Sequence, residues 1–174
     1  MSDIRNYDDA VGRFHDTLNF NTLPVSAWDI YADYFDKTCK TAEDIKGLTK
    51  LAKTNDWEIN DAIFEDQLRE KEHVIVVTDA KLNIVYATQN IWQMNRYKPE
   101  EIMGFQPKIF QGEGTCKETI QNISKAIRAK KPFEANVLNY RKDGETYNCW
   151  IQAKPVFDTK GEIVNFIAFE REVA

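Results

Sequence analysis

The sequence is poor in histidine, with 2 in 174 residues, and in cysteine, with 3. Cys39, Cys116 and Cys149 are odd in number and show no CxxC spacing, which argues against a disulfide framework or a clustered zinc site. Basic charge is in deficit: 23 Lys and Arg stand against 28 Asp and Glu, a net charge of -5, so the chain shows no footprint for nucleic acid or an anionic membrane. No stretch approaches the roughly 20 apolar residues of a membrane span. The opening MSDIRNYDDA lacks the basic start and apolar run of a secretory leader. A reduced cytoplasm is the expected location. Catalytic signatures are missing too. There is no nucleophile-base pair, no paired acids in an anchoring motif and no Walker-type phosphate loop, and "GEGT" at 112 to 115 has only two glycines. The expectation is a protein that is not an enzyme.

What is present is the composition of a folded domain with an extension, 43% hydrophobic and 12% aromatic. Up to about residue 71 the pattern is helical. Val25, Trp28, Tyr31 and Phe35 fall at spacings of three and four, with Pro24 suited to a first helical turn. A second helix is expected over "TAEDIKGLTKLAK", where Thr41 and Asp44 resemble a capping box and Ile45, Leu48 and Leu51 or Ala52 share a face. A third is expected over "DWEINDAIFEDQLREKE", with Ile59, Ala62, Ile63 and Leu68 toward one side. Such stripes need another surface to cover them.

From residue 72 onward strands take over. "HVIVVTD" and "NIVYAT" read as two strands, "QNIWQMNRY" and "PEEIMG" as short helices, and "CKETIQNISKAIRAKK" as a longer amphipathic helix. Three strands follow, "FEANVLNYR", "ETYNCWIQAKPVFD" and "EIVNFIAFERE", joined by the hairpin connectors "KDG" and "DTKG".

That order of elements, with the words "VTDAKLNIVYAT", "YKPEEIMG", "NYRKDGE" and "PVFDTKGEIVNFIAF", resembles the PAS family over residues 72 to 174. The resemblance implies an α+β fold: a five-stranded antiparallel sheet with short helices and one longer helix around a small-ligand cavity, preceded here by a helical extension over 1 to 71. Within PAS the sequence is most similar to the light-oxygen-voltage (LOV) group of flavin photoreceptors. That group carries an "NCRFLQG" segment whose cysteine attacks the illuminated flavin; the aligned stretch here is "QPKIFQG". Gln106 stands for the asparagine, Pro107 for the cysteine and Lys108 for the arginine, while Gln111 and Gly112 are unchanged. Proline has no nucleophile, so no flavin-cysteinyl adduct can form at this position.

The resemblance also implies cavity residues. Asn139 keeps a flavin-contacting asparagine, whereas the second asparagine falls on Cys149, a phosphate-gripping arginine on Ser124, and the flavin-sensing glutamine of the last strand on Glu170. The candidate site is therefore Gln106, Lys108, Gln111, Asn139, Cys149 and Glu170. With most polar anchors altered, no tightly bound cofactor is expected, and a non-covalently held flavin is the alternative, with Tyr86, Tyr147 or Trp92 as electron donors. Period-two geometry places Ala135, Val137, Ile151, Ala153, Phe166 and Ala168 on the same inner face, the lining of a small-molecule site or of a filled core alike. Glu170 reads as a buried carboxylate of raised pKa or as a surface residue. Cys116, at a helix start, reads as an inert packing residue, with a redox role as the alternative.

The opposite face carries Trp150, Ile167 and Phe169, too much apolar surface to leave in water. The expectation is that the N-terminal helices cap it, or that a protein partner or second copy does. Taken together, the sequence predicts a stand-alone PAS sensory and protein-interaction module in cytoplasmic signal transduction. The alternatives are a cysteine-less flavin photoreceptor or redox sensor, and a structural dimerisation module with a side-chain-filled cavity.

Overall fold

A computed structural model describes residues 26–60 and 62–173, with side chains from Tyr31 onward. Pro24, Val25 and the side chain of Trp28 lie outside the described residues. The chain divides into two units, residues 1–38 and 39–174. The described part of the first is the opening of a helix, on which Tyr31, Tyr34 and Phe35 are exposed.

That helix, α1, runs unbroken over Ser26–Thr54, where the sequence predicts two. Nothing between Phe35 and Lys46 is a glycine or a proline, so the capping-box pattern at Thr41 has no breaker to support it and lies inside the helix. In the second unit one face of α1 is apolar and covered: Leu48 and Ala52 are buried, with Ile45 and Leu51 partly so. After Thr54 the chain turns, with Asp56 at a φ of 49°, and Trp57 forms a β-bridge with Asp158. The third expected helix is thereby shortened to α2, Ala62–Glu65, continued by a π-turn over Asp66–Glu70.

Five strands follow: β1 Val74–Asp79, β2 Ile84–Ala87, β3 Phe133–Tyr140, β4 Thr146–Phe157 and β5 Ile163–Val173. They form one sheet in the order β2-β1-β5-β4-β3, every neighbouring pair antiparallel. Between β2 and β3 lie α3 Ile91–Asn95, α4 Pro99–Ile102, a 3-10 turn Pro107–Phe110 and α5 Lys117–Arg128. Pro99 opens α4, and the Glu101 carboxylate accepts from the Lys98 backbone N–H over 2.9 Å.

Because β1 and β5 are central, both of their faces are covered, and β1 reads as a continuous apolar run rather than an alternation. On the outer face Ile75, Val77, Ile167, Phe169 and Val156 meet Leu48, Ala52, Trp57, Phe64 and Leu68. On the inner face Val74, Val76, Tyr147 and Cys149 meet Ile84, Ile91, Met94, Ile102 and Phe110. Each large aliphatic so covered contributes about 1.5–3 kcal/mol. The outer layer decides between two expectations for Ile167 and Phe169: both are buried beneath the chain's own helical segments, and not left open for a partner. Trp150 is half-buried, with its ring against His73 and Arg171 and its indole N–H donated to Glu134 over 2.8 Å.

Candidate functional site

The inner face of the sheet, the 3-10 turn and α5 enclose a cavity of about 360 Å³. Helix α5 supplies Ile120, Ile123, Ser124 and Ile127, at the spacing of one helical face, so its apolar stripe faces the cavity instead of closing on the sheet. The sheet supplies Val76, Val137, Ile151, Ala153, Phe166 and Ala168. The wall is largely hydrocarbon with few polar groups, the usual make-up of a small-molecule site.

Five of the six candidate residues line this cavity. Lys108 is exposed at its rim, and Pro107 beside it lines the wall. Gln106 also lines the wall while its side-chain amide donates to the Lys81 carbonyl over 3.3 Å. Gln111 follows the 3-10 turn, its backbone N–H held by the Lys108 carbonyl over 3.0 Å. Asn139, buried, comes from β3, where it pairs with Tyr147. Cys149 is brought close but not to the wall: it is fully buried, with Sγ 3.8 Å from a carboxylate oxygen of Glu170.

Glu170 is the deepest acid of the site. It is only 6% exposed, between Val74 of β1 and Ile151 of β4, which removes the surface alternative. Burial pushes its pKa up to about 7, against a small downward pull from the Cys149 contact. Burial likewise pushes the Cys149 thiol up, and the neighbouring Glu170 charge adds to that, so the thiol stays protonated and can donate to the carboxylate.

Sequence reasoning missed Thr78. Thr78 lines the cavity and is 5% exposed, and its buried hydroxyl oxygen has no hydrogen-bond partner among the described residues. The available signal was strand geometry alone: side chains two apart on β1 share a face, which puts Thr78 with Val76. The proposed electron donors fare differently from one another. Tyr86 points into the outer layer, its hydroxyl bonded to Asp44, and Trp92 is 54% exposed, so neither borders the cavity. Tyr147 is buried on the inner face, and burial raises its pKa.

The two glycines of "GEGT" are there for close packing. A Cβ on Gly112 would stand 2.5 Å from the Tyr140 ring, and the Gly114 N–H donates to the Tyr140 hydroxyl over 2.8 Å. Among the described residues no three potential metal ligands cluster, and no helix is long and apolar enough to cross a membrane.

Residues 71–174 match the PAS domain family. Among known proteins the chain is 33% identical to Protein TWIN LOV 1 of Arabidopsis thaliana over 110 residues, which is 61% of this chain and 28% of that one. It is 30% identical to Phototropin-2 of Oryza sativa subsp. japonica over 113 residues, 63% of this chain and 12% of that one. The chain thus spans less than a third of the length of these curated relatives. Among solved structures, the dark structure of the blue-light photoreceptor Aureochrome1 LOV superposes with a TM-score of 0.60 at 29% identity, covering 67% of this chain and 87% of that one.

Proposed function

The chain belongs to the PAS domain family, with a LOV-like sequence and fold, and we propose that it is a sensory and protein-interaction module of cytoplasmic signalling that holds a small molecule non-covalently. In this reading residues 72 to 174 are the sensor and residues 1 to 71 its helical extension. It is a binding module and not an enzyme. The observation that carries the proposal is the double exposure of β5: Phe166, Ala168 and Glu170 line the cavity, while Ile167 and Phe169 sit in the layer with Leu48, Trp57 and Phe64. A ligand that shifts β5 therefore acts on both layers at once, and biases the helical layer by its differential affinity for the two arrangements.

A flavin is the second reading, favoured by the two amides. Gln111 and Asn139 both line the cavity and would hold the polar edge of its ring, with Lys108 at the rim as a point-charge contact for a phosphate. When bound, a flavin would supply visible light absorption and redox chemistry. Pro107 leaves the wall without a thiol at the adduct position, so the chain's own part is limited to holding, orienting and excluding water.

The test is an absorption spectrum of the purified protein, native and denatured, repeated after adding riboflavin and its phosphate, with hydrogen exchange of residues 39 to 70 on the same samples. A flavin band near 450 nm, about where oxidised flavin absorbs, that stays with the protein establishes the second reading. A colourless protein that leaves added flavin free removes it. Ligand-dependent exchange in residues 39 to 70 supports coupling through β5, and exchange unchanged by a bound ligand overturns it.

A further inference from the structure

Two polar groups on the cavity wall lack the partners that burial demands. Among the described residues Glu170 has no cation beside it and no oxygen or nitrogen donor; a thiol at 3.8 Å, a weak donor, is what it has. Thr78 has an unpartnered hydroxyl. Both are more than nine-tenths buried and both line the same space. A buried carboxyl in hydrocarbon is costly when charged and leaves acceptors unused when neutral. Two such groups on one wall describe a ligand by what they lack.

The register fixes their spacing. Thr78 pairs with Phe166, four residues along β5 from Glu170, so the two positions lie roughly 13 Å apart along the strands. Between them the wall is Val76 and Ala168, small and apolar. The complement is an elongated, flat, apolar body with a strong nitrogen donor at one end and a second polar group at the other.

We propose that the cavity binds a planar aromatic molecule bearing a cationic nitrogen donor of the amidine or guanidine class, which pairs with the Glu170 carboxylate, while its far end reaches Thr78. This deepens the ligand-binding reading above and rests on it. The groups facing Glu170 leave the pairing unopposed. Cys149 and Tyr147 of β4 are held protonated by burial. Glu172, two residues along β5, is engaged by Arg141 over 2.7 Å. Lys108, the one cationic side chain on the wall among the described residues, is exposed at the rim and has no part in the Glu170 titration. With a carboxyl that titrates near 7, a cation that binds the charged form displaces a proton, and more of one as the pH falls.

The probes are para-aminobenzamidine, a flat cation with a second donor opposite its amidinium, and para-aminobenzamide, its neutral counterpart. Calorimetric titration of the whole chain, and of E170Q with its fold checked by circular dichroism, reads the preference. The expected result is that wild type prefers the amidine by about tenfold or more and E170Q prefers it by less than about twofold. Repeating the wild-type titration in two buffers of different ionisation enthalpy counts the protons, and needs no variant. Close to one proton should be released at about pH 6 and few at about pH 8.

Equal affinities in wild type, a preference that survives in E170Q, or binding without proton release overturns the Glu170 pairing and leaves the cavity as a ligand site of other chemistry. Failure of both probes to bind at millimolar concentration overturns the Glu170 pairing alone, and the flavin titration above then decides the small-molecule reading.

Discussion

The Tyr86 hydroxyl donates to a carboxylate oxygen of Asp44 over 3.0 Å and so fastens helix α1 to the edge strand β2. The other carboxylate oxygen accepts the Gln89 backbone N–H over 2.8 Å. Even so, burial raises the Asp44 pKa from 3.8 to about 6, against both bonds and with help from the Glu43 charge.

The sign of the pH effect follows from that rise. The folded state holds the Asp44 proton more tightly than the unfolded chain, so its contribution is complete below 3.8 and is lost as the pH climbs through about 6. The size is on the order of 2–3 kcal/mol. Glu170 acts with the same sign from 4.5 to about 7, so Asp44 is isolated by difference. Urea unfolding of wild type and D44N at a series of pH values should show a flatter slope between about 4 and 6 in the variant. Parallel curves would mean that Asp44 ionises freely in the folded protein.

At Gly47 helix α1 packs directly on the Tyr86 side chain of β2. A Cβ there would stand 2.8 Å from the Tyr86 ring, which cannot swing away without releasing Asp44. On an open helix, glycine to alanine gains about 1 kcal/mol. Here G47A is expected to lose stability by about 1–3 kcal/mol, the cost of overpacking. Unfolding free energies of G47A and of G47A in a Y86A background test the cause: the second background should restore the helical gain.

Much of this was legible in the sequence, for physical reasons that differ by element. The strand pairs around "KDG" and "DTKG" could be read because hairpin turn chemistry is local, and Gly144 and Gly161 do take the positive φ that such turns require. The inner face of β5 could be read because alternation is strict. What could not be read depends on distant partners. No local feature shows that Trp57 bridges to Asp158 and thereby ends a helical stretch, or that Cys149 sits behind Glu170 and not beside it on the wall. The continuity of α1 was hidden by a capping pattern that only a helix break would have made meaningful.

Asn165 joins three segments through one side chain. Its carbonyl oxygen accepts the Trp57 indole N–H over 2.8 Å, and its amide donates to the Thr78 backbone carbonyl over 2.9 Å. Both bonds are buried, so N165A leaves a donor and an acceptor unpaired at about 1–3 kcal/mol each, while N165D keeps the first and loses the second. Thermal unfolding should order the variants as wild type most stable and N165A well below it. A loss in N165A of under about 0.5 kcal/mol, the range of ordinary surface changes, would show that water replaces these bonds readily.

Ala168 offers the most direct check on the cavity itself. It lines the wall midway between Glu170 and Phe166, and its side chain faces the open space. In a packed core, alanine to leucine forces neighbours out of their rotamers at about 1–3 kcal/mol. In a cavity of about 360 Å³ the added methylenes have room, so A168L should unfold within about 0.5 kcal/mol of wild type, or later. The same leucine projects into the path between Glu170 and Thr78, so binding of para-aminobenzamidine should fall by about tenfold or more. The pairing of the two readouts is what discriminates: lost stability would mean that the space is already filled, and unchanged stability with unchanged binding would place the ligand site elsewhere on the molecule.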